Sequence, residues 1–310
     1  MGKYLKYIFG LFALFVFILL FRAYLHQPEI GELKNNKPIS FDHEKSIKNL
    51  SRSIQFKTVS HPDYEKFDQA EFQSFLEWLE EEYRLIFKKL EKKYIGKSLL
   101  LKWEGEDLTL DPILLTGHYD VVPVRANANE IWKEKPFSGK IDSDYVWGRG
   151  ALDDKSGVIA IMEAVGYLIK NDFSPKRTVY LSFGHDEEIG GRRGAAKVTE
   201  YLIGKGINLE WTLDEGSFLL ENIIPGVNKA VAVINVAEKG SLTIQVIGKS
   251  KGGHSSMPES NSSVGYLAEA LIKLEENPLP GKLDGISLRL FDEVSKHMPF
   301  LYKILFANLW

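Results

Sequence analysis

The sequence predicts an α/β chain built on a mostly parallel sheet with helices on both faces. Three observations predict it. Short apolar runs at residues 113–116, 179–183 and 211–213 have the length of buried strands. A helical stretch at 157–169 lies between the first two, so strand and helix alternate. Acidic and histidine residues follow each run directly, where ligands collect in such sheets.

Lys3 and Lys6 precede an uninterrupted apolar and aromatic run over 7–21, closed by Arg22. A bilayer core needs roughly 17–25 helical residues, so the run spans one if Lys6 and Arg22 snorkel. No small-x-small cleavage site follows, since Arg22, Tyr24 and His26 occupy that window. An uncleaved signal anchor over 1–25 is therefore favoured over a cleaved signal and over a buried soluble helix. The basic end stays cytoplasmic, which places the remainder in a lumen, periplasm or outside the cell; secretion is the alternative. Asn49 and Asn261 are then candidate glycan acceptors. Residues 26–42 read as a polar tether. From 69 to 93, Phe72, Phe75, Leu76, Leu79, Tyr83, Ile86 and Leu90 recur at helical spacing, an apolar stripe for packing on a sheet.

Composition narrows the chemistry. The 310 residues carry a formal charge of -3, which gives no electrostatic drive toward nucleic acid. With no cysteine, thiolate metal sites, disulfides and a cysteine nucleophile are excluded. Any metal must sit on histidine and carboxylates. His118 and Asp120 follow the first run; His185, Asp186, Glu187 and Glu188 follow the second; Asp214 and Glu215 follow the third; Asp153 and Asp154 open the intervening helix. Singly, each has an ordinary structural use, such as an Asp capping a helix. Four groups at one sheet edge point to a metal centre. One histidine among carboxylates suits a divalent ion such as zinc, and a bridging carboxylate such as Asp153 allows two ions. In an adjacent Glu pair, one member can bind metal while the other moves a proton. Asp120, two residues past His118, is placed to orient that imidazole.

The runs Thr116-Gly-His118-Tyr-Asp120, Trp147-Gly-Arg-Gly-Ala-Leu-Asp153-Asp154-Lys155, Gly184-His-Asp-Glu187-Glu188 and Leu213-Asp214-Glu-Gly resemble the M20 metallopeptidases. Within them the likeness is to the carboxypeptidase S and N-acyl amino acid hydrolase branch. The resemblance implies a zinc exopeptidase-like catalytic domain over 43–236, followed over 237–310 by the start of an inserted α+β lid or dimerisation domain. It implies two Zn2+ ions held by His118, Asp153, Glu188 and Asp214. Glu187 is then the general base, Asp120 supports His118, and the Asp153–Asp154 peptide is cis. His185 is read as packing or as an outer support. In the lid, 231–236 and 242–247 alternate like strands and 264–274 reads as a helix. His254 there corresponds to a residue that binds substrate or oxyanion, often across a homodimer; a loop histidine capping the helix is the plainer use. The family pattern has a further histidine ligand and substrate-carboxylate residues beyond the point where this sequence stops, so both domains are expected to be incomplete and the second zinc to lack a ligand. The implied substrates are peptides or N-acyl amino acids, cleaved at an amide beside a free carboxylate. A catalytically inactive membrane-tethered module, and another co-catalytic zinc aminopeptidase or deacylase, are the competing readings.

Overall fold

The computed structural model describes residues 2–29, 39–125, 131–217, 219–238, 240, 242–254, 256–257 and 262–309. The chain divides into two compact units, one of Asn35–Glu215 and one of Met1–Lys34 with Gly216–Trp310.

The Asn35–Glu215 unit is organised around a five-stranded sheet. Its strands are β1 (Glu91–Ile95), β2 (Ser98–Trp103), β3 (Ile113–His118), β6 (Val179–Gly184) and β7 (Trp211–Leu213), in the order β1-β2-β6-β3-β7. A small ribbon, β4 (Lys140–Ile141) with β5 (Val146–Trp147), lies apart from it. β3 runs parallel to both β6 and β7, while β2 is antiparallel to β6 and β1 to β2. The helices are α2 (His43–Ile54), α3 (Gln69–Glu82), α4 (Arg84–Lys89), α5 (Lys155–Lys170) and α6 (Ala195–Gly204). Successive strand side chains point to opposite faces, and the inner strands β2 and β6 pack on both sides. Leu99, Leu101, Leu181 and Phe183 meet Phe75 of α3 and Met162 of α5 on one face. Leu100 and Tyr180 meet Val198 and Leu202 of α6 on the other. Each such fully buried side chain stabilises the fold by about 1.5–3 kcal/mol.

The helical stripe expected from 69 to 93 is two helices and the start of a strand. α3 ends at Glu82, and Tyr83 leaves helical geometry with ψ 37°. The Tyr83 hydroxyl donates to Glu163 Oε1 at 2.7 Å, and burial with that carboxylate pushes its pKa far up. Glu91–Ile95 then pairs with β2 instead of continuing the helix. Asn49 is no glycan acceptor in this fold: it is buried, and its amide donates to Glu163 Oε1 at 2.7 Å. Asn261 and most of the tether lie outside the described residues.

In the other unit, α1 (Gly2–Leu25) is long and apolar enough, over Tyr4–Leu25, to cross a membrane. It is accompanied by β8 (Leu219–Leu220) paired with β9 (Val231–Ala232), and by α7 (Ser263–Glu276), α8 (Gly285–Ser295) and α9 (Phe300–Phe306). The strand expected over 231–236 is confined to its first two residues, and among the described residues 242–247 forms no strand. Alternating side chains supply a face but not a partner, and a strand without a paired neighbour leaves its backbone groups to water.

Candidate metal centre

β3 ends on His118, and the following residues are held extended. Tyr119 N–H continues the ladder to Gly184 O at 3.0 Å, and Val121 N–H donates to Thr58 O at 2.9 Å. Tyr119 turns inward and stacks on Phe75 at 4.6 Å. That alternation throws His118 and Asp120 together on the opposite side. His118 Nδ1 lies 3.0 Å from the Asp120 carbonyl and 3.4 Å from its carboxylate. Both partners accept, so Nδ1 carries the hydrogen and Nε2 is the atom offered to a ligand. Nε2 faces Asp153 Oδ1 at 3.0 Å, Glu215 Oε1 at 3.3 Å and Glu187 Oε2 at 3.8 Å.

Asp120 is fully buried and organises a second strand end as well. Its Oδ1 accepts the Glu187 N–H at 3.1 Å and its Oδ2 the Glu188 N–H at 3.2 Å. Burial opposes its charge, yet these bonds and His118 hold its carboxyl below the usual carboxylate range. Glu187–Ile189 is a single 3-10 turn after β6, closed by Gly190 at φ 96°. Asp186 anchors the same turn by accepting the Arg193 N–H at 2.7 Å. Its neighbour His185 is buried, with Nδ1 2.8 Å from Ser98 Oγ.

The Asp153–Asp154 peptide is cis. Asp154 takes the capping role: Oδ1 accepts the Gly157 N–H at 3.1 Å, and Oδ2 accepts the His118 N–H at 3.2 Å. Asp153 is left to point at the imidazole. The carboxylates crowd one another. Burial and neighbouring negative charge raise Glu187 and Glu188, and push Glu215 up to about 7. For His118, burial disfavours the cation, but Asp120, Glu215 and Glu187 outweigh it and carry its pKa up to about 10. So many anionic oxygens around one imidazole create a site that favours a cation.

Two trios have ligand atoms within 4.8 Å of one another: His118, Asp153 and Glu188, and His118, Glu187 and Glu215. An imidazole nitrogen with several carboxylate oxygens and no sulfur is a donor set that fits a divalent ion of the zinc type. His118, Asp153, Glu187 and Glu188, singled out in the sequence, are thus brought together. Glu215, given no role there, joins them. Asp214 belongs to neither trio; its Oδ1 accepts the Glu215 N–H at 2.9 Å, while its charge is felt at Glu187 and Asp154. The third strand end was the visible signal for Glu215, but which of two adjacent acids faces inward depends on a one-residue phase. His254 belongs to the other unit, exposed, with Nδ1 2.8 Å from Ser256 Oγ.

Comparison with known proteins places these residues in a family. Residues 114–289 match the model of peptidase family M20/M25/M40. The chain is 43% identical over 266 residues to "Probable carboxypeptidase S-like 2" of Dictyostelium discoideum, covering 84% of this chain and 51% of that protein. It is 34% identical over 302 residues to the N-fatty-acyl-amino acid synthase/hydrolase PM20D1 of Xenopus tropicalis, covering 94% and 58% respectively. An M20 family metallo-carboxypeptidase, Sso-CP2 from Sulfolobus solfataricus, superposes with a TM-score of 0.45 at 22% identity, covering 58% of this chain and 38% of that one. The chain spans about half the length of the curated relatives it matches. The family match takes in more than half of the chain and every carboxylate gathered around His118, and the chain belongs to peptidase family M20/M25/M40.

Proposed function

We propose that this chain carries the metal-binding core of a zinc-dependent hydrolase that cleaves an amide bond beside a free carboxylate, in a C-terminal peptide bond or an N-acyl amino acid. One observation carries the reading: Nε2 of a buried, oriented imidazole at the end of one strand confronts acidic side chains delivered by two other strand ends and a helix start. The names of the carboxypeptidase S-like and N-fatty-acyl-amino acid hydrolase relatives support the substrate class.

His118, Asp153, Glu188 and Asp214 are assigned to hold Zn2+, with Glu215 beside them. When bound, zinc supplies Lewis acidity toward the carbonyl and lowers the pKa of water. Glu187 takes the proton from the attacking water and returns it to the departing amide nitrogen, so the C–N bond breaks to a carboxylic acid and an amine. Burial and adjacent acids raise its pKa, which strengthens it as a base. Asp120 keeps His118 and both Glu backbones fixed. His254 is assigned to the oxyanion, across a homodimer. The α1 helix is assigned as a signal anchor that keeps the hydrolase on a membrane, facing away from the cytosol. Glu187→Gln tests the roles, assayed on N-fatty-acyl amino acids and on peptides with free C-termini. Zinc content is expected to be unchanged and turnover lost. Retained turnover, or loss of zinc, contradicts the assignment.

A further inference from the structure

α9 and the C-terminal end of α1 are tied together in the same unit. The Arg22 guanidinium donates to Ala307 O at 2.8 and 3.1 Å, and Asn308 Nδ2 donates to Leu19 O at 3.3 Å. Just past the helix, His26 Nε2 lies 2.8 Å from Ser295 Oγ, and Lys303 Nζ donates to Gln27 Oε1 at 2.8 Å. These bonds fix how deep α9 reaches along α1. Leu19 and Arg22 lie six and three residues before Leu25, so at 1.5 Å per residue they sit about 9 and 4.5 Å inside the end of the apolar segment.

α9 has two unlike faces. One is satisfied within the protein: Lys303 is buried, and Phe306 stacks on Phe291 of α8 at 5.9 Å. The other presents Leu301 (77% exposed) and Leu305 (60%), four residues apart and so neighbours on one helix face, with Phe300 and Tyr302 beside them. From Ser295 to Trp310 the sequence has no Asp or Glu; Lys296 pairs with Asp292 and Glu293 of α8, and Lys303 lies on the buried face. An apolar face with an aromatic fringe and no acid within its own helix is the chemistry of a helix face set in a lipid headgroup–acyl boundary, about 5–10 Å deep. α1 holds Ala307 and Asn308, at the end of α9, at that depth, and Lys303 beside Gln27, two residues past the apolar segment, so the Leu301–Leu305 face sits at the rim of the boundary.

We propose that the exposed Leu301–Leu305 face of α9 lies in the bilayer interface beside α1, so that the lid segment is held on the membrane at a second point. The inference rests on reading α1 as the membrane anchor. The chain has no cysteine, so single-cysteine spin labels report without background. Labels are placed through Leu301→Cys and Leu305→Cys, through Phe12→Cys within α1, and through Glu275→Cys on the exposed surface of α7. The full chain is reconstituted in phosphatidylcholine–phosphatidylserine vesicles, and collision rates are measured with oxygen, which concentrates in lipid, and with a neutral nickel chelate, which stays in water. At 301 and 305 the nickel rate is expected severalfold below that at 275, with the oxygen rate raised as at 12. A nickel rate at 301 and 305 equal to that at 275, while 12 stays protected, overturns the inference and leaves the anchor standing. Protection from both reagents at 301 and 305 shows a protein surface covering the face, a second copy included, and also overturns it. A water-accessible label at 12 removes the anchor and the inference with it.

Discussion

Asp120→Asn is the substitution that most sharply probes how the centre is held. Both carboxylate oxygens of this buried residue accept backbone N–H groups, from Glu187 at 3.1 Å and Glu188 at 3.2 Å. An amide keeps one acceptor and turns the other into an NH2 group aimed at a donor. Whichever way it flips, one buried N–H loses its partner, and the charge facing His118 Nδ1 at 3.4 Å is gone. A hydrogen bond to a charged group contributes about 1.5–3 kcal/mol, and an orphaned buried donor costs about 1–3 kcal/mol. Part of each figure describes the same loss, so the expected destabilisation of the metal-free chain is about 3 kcal/mol. The loss should appear in urea unfolding followed by tryptophan fluorescence, because five of the six tryptophans lie in the Asn35–Glu215 unit. Loosening the imidazole and the Glu pair together should also weaken zinc binding by about 10–100-fold, the usual effect of losing such a support. A variant that unfolds within about 0.5 kcal/mol of the parent, as a neutral surface change would, refutes this account of Asp120.

Other perturbations have defined outcomes. Lys155 is fully buried and donates to Ser53 O at 2.8 Å and Phe56 O at 2.7 Å, clamping the start of α5 to the end of α2. Lys155→Met orphans two carbonyls but removes a buried amine, for a net loss of about 2 kcal/mol in chemical denaturation at neutral pH. Burial carries the Lys155 pKa down to about 7 from its ordinary 10.5, so between those values the unfolded chain holds a proton that the folded chain has released. The lysine therefore contributes a rise in stability with pH across that window, and thermal melts of Lys155→Met should lack it. Gly117→Ala places a Cβ 2.5 Å from Asp154 Oδ2, the atom that accepts the His118 N–H. Asp154 must move, and zinc affinity, read by competition with a chromogenic chelator, should fall about tenfold.

Much of the site is legible in the sequence because strand ends are easy to find. A short apolar run that stops at His118, or at the Gly184 before the acidic turn, marks the sheet edge within a residue or two. The phase beyond the last strand residue is not legible, and it separates Asp214 from Glu215. Asp120 is legible as a partner of His118, since residues two apart share a side of an extended segment. Its second task, accepting both Glu N–H groups, depends on β3 and β6 lying side by side and leaves no local trace. The β1–β2 pair is hidden for another reason. Lys92 and Lys93 sit on an edge strand, where charge is tolerated and discourages further pairing, so the segment reads as the end of the preceding helix. Conversely, the alternation over 242–247 suggested a strand for which the structure provides no partner.

The central claim is that His118 and the acidic residues from separate strand ends share a metal ion, and X-ray absorption at the zinc edge tests it most directly. Zinc-loaded protein is expected to show only nitrogen and oxygen ligands near 2.0–2.2 Å, with outer-shell imidazole scattering that His118→Ala abolishes along with most of the bound zinc. Zinc retained in His118→Ala with an unchanged spectrum, or no zinc retained by the parent chain, contradicts the account.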